Sequence, residues 1–127
     1  GLFEGMKAYR TSKDRVVFFR PEENARRMQR GADRLKMPPV PESIFIDAVE
    51  QCVQANLRWL PPMGRGAMYV RPLLMGSGPI LGVAPAPSYR FLVYVTPVGP
   101  YFKGGVRAID LLISDVHHRA APGGWPP

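Results

Sequence analysis

Cysteine is almost absent from this 127-residue sequence: Cys52 is the only one, so no disulfide can form within the chain. Cys52 lies in an apolar pattern of helical spacing, and we expect it to pack as a small hydrophobic residue. Long apolar runs are absent too, since none has the length needed to cross a bilayer. These absences exclude a disulfide-stapled scaffold, and we expect no membrane partner.

The sequence also lacks the common motifs of metal and nucleophile enzymes, such as paired Cys-x-x-Cys units, His-Glu-x-x-His and Gly-x-Ser-x-Gly. Its two histidines, His117 and His118, are adjacent, and neighbours on a strand point to opposite faces, so we expect no metal site there. Gly76-Ser77-Gly78 is spaced one residue too far from Gly82 for a dinucleotide fingerprint. It also leads into Pro79 instead of a helix, which excludes that fingerprint.

Positive charge is what the sequence has in excess. Seventeen Lys and Arg exceed ten Asp and Glu, which gives a net charge of +7, and thirteen of the cations are Arg. A strongly basic small chain can bind nucleic acid. Here the basic residues form no run and no aromatic residues are interleaved with them, so we favour a solvated surface with a few arginines that bind anions. We expect no nucleic-acid partner, and an unrelated nucleic-acid binder is the less favoured alternative.

In the first half of the chain, the spacing of hydrophobic residues predicts two strands followed by two helices. Leu2–Arg10 and Val16–Phe19 read as the two strands of a hairpin. Pro21 and the acids after it predict a helix that stops near Met37, before Pro38. A second helix is predicted from Pro41 onwards. Its apolar stripe consists of Phe45, Ala48, Val49, Cys52, Val53 and Leu57.

The second half of the chain predicts a return to strands. In order, the predictions are a strand over Ala67–Met75, a long ordered loop over Gly76–Pro87, a central strand over Tyr89–Val95, a linker over Pro97–Gly105 and a strand over Val106–Ile113. Pro72 would place the first of these strands at an edge or a bulge. Apolar residues on both faces of the second suggest that it is central. The fold class is therefore α+β, with helices against a mostly antiparallel sheet.

Two arginines lie beside apolar patterns. Arg27 is at the border of the first helix's apolar stripe, from which its guanidinium could reach a buried anion such as phosphate. The residues alone favour the alternative, a stem on the core and a head in water. Arg71 shares one strand face with Tyr69, where an unpaired charge is costly. A pocket that receives a carboxylate and an internal salt bridge are equally compatible with Arg71.

Four ordered blocks of the sequence carry a resemblance to a known family. The blocks are Leu2-Phe3-Glu4-Gly5-Met6-Lys7-Ala8-Tyr9-Arg10; Phe19-Arg20-Pro21 with Asn24, Arg27-Met28, Ala32, Arg34-Leu35 and Met37-Pro38; Tyr69-Val70-Arg71-Pro72 with Gly76–Val83; and Tyr94–Phe102. They resemble the branched-chain-amino-acid aminotransferases, which are pyridoxal-phosphate-dependent and share their fold class with D-amino-acid aminotransferase. The match runs from Gly1 to about Gly124 and is most similar to plant forms. The resemblance implies the small N-terminal domain of that fold, an antiparallel sheet with two packed helices, truncated at both ends.

The resemblance also implies roles for individual residues. Arg27 would bind the phosphate of the pyridoxal 5'-phosphate cofactor, and Arg71 would receive the distal carboxylate of glutamate. Aromatic side chains would wall the pocket for a branched side chain, and a loop would reach the partner subunit's site, which implies a homodimer. The residues placed at the substrate in this way are Phe3, Tyr69, Arg71, Leu81, Val83 and Tyr101.

The same resemblance predicts an incomplete small domain over residues 1–99, an interdomain linker over 100–105, and the first strand and tail of a second domain over 106–127. In the family, a run similar to Arg119–Gly124 leads to the lysine that holds the cofactor as a Schiff base. Here Trp125 follows that run, so we expect the lysine to lie beyond the end of the chain and no residue present to be catalytic.

Members of the family transfer an amino group between leucine, isoleucine or valine and 2-oxoglutarate. We expect this chain to be a fragment of such an enzyme that is inactive alone. The alternatives are a non-catalytic dimerisation or regulatory partner of the full-length enzyme, and a related aminotransferase or lyase of other specificity. Similarity to plant forms predicts a plastid location, with mitochondrial and cytoplasmic locations as alternatives.

Overall fold

The computed structural model describes residues 1–100, 102 and 108–116. In this part of the chain the elements follow one another as strands β1 (Leu2–Phe3), β2 (Met6–Arg10) and β3 (Val16–Phe18), helices α1 (Pro21–Arg34) and α2 (Glu42–Ala55), a 3-10 turn (Leu57–Trp59), and strands β4 (Ala67–Ser77) and β5 (Ser88–Val98). The predicted α+β fold, with an antiparallel sheet and two packed helices, is confirmed.

Strand β4 is the centre of the antiparallel sheet. β5 pairs along one side of it, while β1 and β2 pair along the other side in one continuous register, and β3 follows β2. The prediction that Pro72 marks an edge or a bulge of its own strand is therefore wrong. The Glu4 N–H donates to the Pro72 carbonyl at 2.9 Å, but Pro72 has no N–H to donate in return. The strand that is interrupted is the one facing Pro72, which is divided into β1 and β2 at Glu4 and Gly5.

The prediction that Tyr89–Val95 forms a central strand is also wrong for the described residues. There β5 pairs with β4 alone. Its side chains alternate between a half-buried set that packs on the core and an outward set that includes Leu92 and Tyr94, which are 45% and 54% exposed. Apolar residues on both faces of a strand indicate contacts on both faces, and the described residues cover only one.

The hydrophobic core lies between the two helices and the face of the sheet opposite Leu92 and Tyr94. Its buried members are Met6, Ala8, Ala25, Met28, Ala32, Val40, Phe45, Val49, Val53, Leu60, Met68, Val70 and Leu74. Gly31 lets α1 approach β1 closely, because a Cβ at this position would lie 2.8 Å from the Leu2 side chain. The core thus fixes α1 against the strand that carries Phe3.

Helix α1 ends three residues before the predicted boundary at Met37. Lys36 adopts a left-handed conformation, with a φ of 56°. The Lys36 N–H donates to the Asp33 carbonyl and the Met37 N–H to the Ala32 carbonyl. This is the hydrogen-bond pattern of a helix C-terminus closed by a left-handed residue.

The predicted strand over Val106–Ile113 is not formed in residues 108–113, the part of that segment that the structure describes. Ile109, Leu111, Leu112 and Ile113 are all at least half exposed there. A strand needs a neighbour to accept and donate its backbone hydrogen bonds, and none of the described strands pairs with this segment. The domain boundaries proposed from the sequence stay predictions.

Candidate functional site

The open face of the sheet, opposite the helices, carries three of the predicted substrate-site residues, which are Phe3, Tyr69 and Arg71. Tyr69 and Arg71 share this face because they are two residues apart on β4. Tyr94 lies directly opposite Arg71 on β5, and Phe3 projects from β1 beside the same strand. Phe3 is 60% exposed and Tyr94 is 54% exposed. The face is therefore aromatic, carries a cation and is open to solvent in this part of the chain.

The Arg71 guanidinium lies against two aromatic rings. Its Cζ atom is 4.3 Å from the centroid of the Phe3 ring and 5.1 Å from that of the Tyr69 ring. Across the residues that the structure describes, no acidic side chain forms an ion pair with Arg71. Ring contacts stabilise the cation while its N–H edges can still donate to an anion. Of the two possibilities left by the sequence, this arrangement favours the pocket over the internal salt bridge.

Gly5 leaves space for the Tyr69 side chain at the edge of this face. A Cβ at Gly5 would collide with the Tyr69 hydroxyl. Beside them is an open cavity of about 360 Å³, lined in part by Lys7, Tyr9 and Asn24. The Tyr69 hydroxyl thus lies against Gly5, where β1 and β2 meet.

Arg27 projects from α1 to this junction and pairs with Glu4. Arg27 Nε donates to Glu4 Oε1 and Arg27 Nη2 donates to Glu4 Oε2, both at 2.7 Å. Asn24, three residues earlier on α1, donates through Nδ2 to Glu4 Oε2 at 2.8 Å and to the Gly5 carbonyl at 3.2 Å. The Glu4 side chain is 6% exposed, whereas that of Arg27 is 51% exposed.

The electrostatics of this pair keep Arg27 cationic. The hydrogen bonds from the guanidinium to Glu4 raise the pKa of Arg27 above its ordinary value, against a smaller opposing effect of burial. The remaining nitrogen, Nη1, donates to no acceptor among the described residues. One edge of the guanidinium is therefore held by the protein, and the other is available to an oxyanion.

Sequence reasoning did not assign a role to Glu4 or Asn24. The available signal was an acidic residue between the apolar segments of β1 and β2, where burial is costly without a partner. The partner is 23 residues away in the sequence. Only the packing of α1 on β1 reveals which cation it is.

The remaining substrate-site candidates lie away from Phe3, Tyr69 and Arg71. Leu81 and Val83 lie in the loop between β4 and β5, and both side chains are fully exposed. The ends of this loop are held together, since the Ser88 hydroxyl donates to the Ser77 carbonyl at 2.9 Å. Tyr101 lies outside the described residues.

Two further questions concern the same part of the chain, namely whether it holds a group of metal-ligating side chains and whether a helix in it could span a membrane. No group of three or more His, Cys, Asp and Glu side chains is arranged there to hold a metal ion, and His117 and His118 lie outside it. No helix found there has the length and apolarity that a bilayer crossing demands. A cleft of about 380 Å³ between β3 and α2 contains none of the predicted site residues.

Cys52 lies on α2 and faces β5. Its thiol donates to the Val93 carbonyl at 3.5 Å, and burial raises the pKa of the thiol. A raised pKa leaves less of the reactive thiolate at neutral pH. The partly buried Cys52 thiol thus contacts β5, and its role as a small hydrophobic residue stays a prediction.

Comparisons with known proteins identify relatives along nearly the whole chain, although no protein-family model matches it. A chloroplastic branched-chain amino acid aminotransferase of Humulus lupulus is 59% identical over 98% of this chain and 30% of its own length. A mitochondrial branched-chain-amino-acid aminotransferase of Arabidopsis thaliana is 53% identical over 98% of this chain and 32% of its own. A methionine aminotransferase of the same plant is 48% identical over 98% of this chain and 35% of its own.

Solved structures agree in fold. The branched-chain amino acid aminotransferase of Escherichia coli superposes with a TM-score of 0.66 at 24% identity, over 81% of this chain and 32% of that one. A second branched-chain amino acid aminotransferase, solved with pyridoxamine 5'-phosphate, gives a TM-score of 0.66 at 28% identity over the same shares. The chain spans about 30% of the length of the first curated relatives that it matches. In sequence and in fold, it belongs to the branched-chain-amino-acid aminotransferase family.

Proposed function

We propose that this chain supplies the substrate pocket and the phosphate anchor of a pyridoxal-phosphate-dependent transaminase that acts on leucine, isoleucine or valine with 2-oxoglutarate. The observation that carries the proposal is the gathering of Phe3 and Tyr69 around the Arg71 guanidinium on one open face. Such a surface suits two kinds of substrate. The rings provide apolar contact for a branched side chain, and the arginine provides donors for a carboxylate.

The chain's residues would act by binding and orientation. The side chain of a branched amino acid would lie on the Phe3 and Tyr69 rings, which exclude water from it. The distal carboxylate of 2-oxoglutarate would accept hydrogen bonds from the Arg71 edges that do not face the rings. Tyr101, which lies outside the described residues, is proposed as a further wall of the same pocket.

The donor set fits the cofactor at its phosphate. Arg27 presents a half-exposed guanidinium with one nitrogen free of described acceptors, as a phosphate monoester requires. When bound, pyridoxal phosphate supplies the electron sink for amino-group transfer. Arg27 would hold its phosphate and thereby orient it relative to the Arg71 pocket.

The proposal is tested in a chimera in which the 124 matching residues replace their counterpart in the Humulus lupulus enzyme. We expect the chimera to transfer the amino group of leucine to 2-oxoglutarate, measured as glutamate formed. The unaltered Humulus lupulus enzyme is the positive control, and this chain alone is the negative control. A folded chimera that binds pyridoxal phosphate but does not use leucine would contradict the proposal.

The isolated chain is expected to be inactive because none of the lysines among its described residues is suited to hold the cofactor. A lysine that forms a Schiff base efficiently at neutral pH has a pKa lowered by a desolvated or cationic environment. Lys7, Lys13 and Lys36 are all exposed, and Lys103 lies outside the described residues. We therefore expect borohydride reduction of the chain with pyridoxal phosphate to label no single lysine selectively, as judged by peptide mass spectrometry. Stoichiometric labelling of one defined lysine would contradict this expectation.

A second candidate function is a non-catalytic partner that forms a mixed dimer with a full-length subunit, whereas for the transaminase itself we propose a homodimer. Full exposure of Leu81 and Val83 at the tip of an anchored loop supports a contact with another chain. Co-purification of this chain with a full-length plant enzyme, reduced by Leu81→Ser together with Val83→Ser, would support the partner function.

The proposal also covers the substrate specificity of the enzyme and its subcellular location. Branched-chain substrates are favoured over other amino acids, although the methionine aminotransferase among the relatives makes a thioether side chain the competing substrate to measure. A plastid location is proposed because a chloroplastic relative shares 59% identity, and a mitochondrial relative at 53% identity makes the mitochondrion the alternative.

A further inference from the structure

We propose that Glu4 is a positioning residue, whose buried carboxylate holds the Arg27 guanidinium so that its free edge faces the phosphate monoester of the cofactor. The inference rests on the proposed function and deepens it. It assigns a task to a buried acid that the substrate pocket does not use.

The first step of the argument is the number of donors that converge on Glu4. Its two carboxylate oxygens accept from Arg27 Nε and Nη2 at 2.7 Å, from Asn24 Nδ2 at 2.8 Å and from the Gly5 N–H at 3.3 Å. Donors from α1 and from the β1–β2 junction therefore fix the carboxylate from two sides. A carboxylate held in this way can in turn fix the plane of the Arg27 guanidinium.

The second step is the asymmetry of the pair. Glu4 is 6% exposed and Arg27 is 51% exposed, so the carboxylate is on the inside and the cation is on the outside. A buried acid is costly unless it is paired, which gives Glu4 a strong preference for the Arg27 contact. An anion in solvent can approach the guanidinium only from the edge that Glu4 does not occupy.

The third step is the contrast with Arg26, the preceding residue on α1. Arg26 donates through Nε to Glu42 at 3.2 Å and through Nη1 to Glu23 at 2.8 Å. The two acids accept from different nitrogens of Arg26, and both are about 40% exposed. Arg27, in contrast, is held along a single edge by one buried acid.

Glu4 has two opposing effects on the affinity of Arg27 for a phosphate. The negative charge of Glu4 repels a phosphate, but it acts from behind the guanidinium and at a greater distance. Fixing the guanidinium removes an ordering cost from the binding step, since a free arginine loses much rotamer freedom when it is immobilised. We expect the ordering effect to prevail, so that loss of the Glu4 charge weakens phosphate binding.

The test measures phosphate binding by the full 127-residue chain with pyridoxine 5'-phosphate, which has no aldehyde to react with lysines. The dissociation constant is followed by phosphorus NMR, and the order of the Arg27 Nε–H is followed by nitrogen-15 relaxation. We expect Glu4→Gln to raise the dissociation constant about tenfold and to mobilise the Arg27 Nε–H. Glu4→Asp, which keeps the charge, should retain part of the affinity and part of the order of the Arg27 Nε–H. Glu42→Gln, which removes the charge of one of the two acids paired with Arg26, is the matched control and should change neither.

The outcomes separate the inference from the proposed function. Unchanged or tighter binding in a folded Glu4→Gln variant, with binding lost in Arg27→Gln, overturns the positioning role and leaves Arg27 as the anchor. Equal binding by Arg27→Gln and the unsubstituted chain, or no saturable binding by the unsubstituted chain, overturns both. If Glu4→Gln does not fold, the decision rests on Glu4→Asp, for which unchanged affinity and unchanged Arg27 order overturn the inference.

Discussion

Replacement of Arg71 by methionine in the chimera is expected to lower kcat/KM for 2-oxoglutarate about 100-fold, because charged hydrogen bonds to the distal carboxylate are lost. The leucine half-reaction should change by only about threefold, since an apolar side chain of similar length still packs on Phe3 and Tyr69. The two half-reactions are measured separately by single-turnover spectroscopy of the bound cofactor. Arg71 would then be a residue that distinguishes the acidic substrate from the branched one.

Arg58 provides the matched control for this substitution. Its Cζ atom lies 5.1 Å from the centroid of the Trp59 ring, so it makes the same kind of cation–π contact outside the proposed site. Arg58→Met should leave both half-reactions unchanged. Equal losses for leucine and 2-oxoglutarate in Arg71→Met would show that Arg71 supports the pocket as a whole, and would contradict its role as the carboxylate receptor.

Replacement of Phe45 by alanine is expected to destabilise the chain by about 3–5 kcal/mol, the usual range for a buried phenylalanine. Phe45 is completely buried on α2, and its ring lies 6.0 Å from that of Phe91 on β5. A loss of this size is comparable with the whole stability of a small domain. The midpoint and slope of urea unfolding, followed by far-UV circular dichroism, measure it.

Ile44 precedes Phe45 on the same helix but is 54% exposed, which makes it the control for the change in side-chain volume. Ile44→Ala should cost less than about 1 kcal/mol. Comparable destabilisation by the two substitutions would contradict the packing of α2 on the sheet. The Arg71 pocket would be affected by that result, because β4 carries Arg71 on one face and part of the core on the other.

Local sequence signals were sufficient for most of the secondary structure. Proline and acidic residues at the start of α1, and the regular spacing of Phe45, Val49 and Val53 on α2, depend only on neighbours within a few turns. Predictions failed where the outcome depends on a distant segment. The position of Pro72 in its sheet depends on which strand faces it, and the apolar outer face of β5 cannot indicate whether anything covers it.

The sequence by itself determined the α+β class, because the period of apolar residues is a local property. Its resemblance to the family supplied the candidates Phe3, Tyr69, Arg71 and Arg27. Only the tertiary structure decided how these side chains combine. It places Phe3 beside Arg71 through the pairing of β1 with β4, and it brings Glu4 to Arg27 by packing α1 against the gap between β1 and β2. Contacts between residues far apart in the chain follow from packing and strand register, which no short stretch of sequence contains.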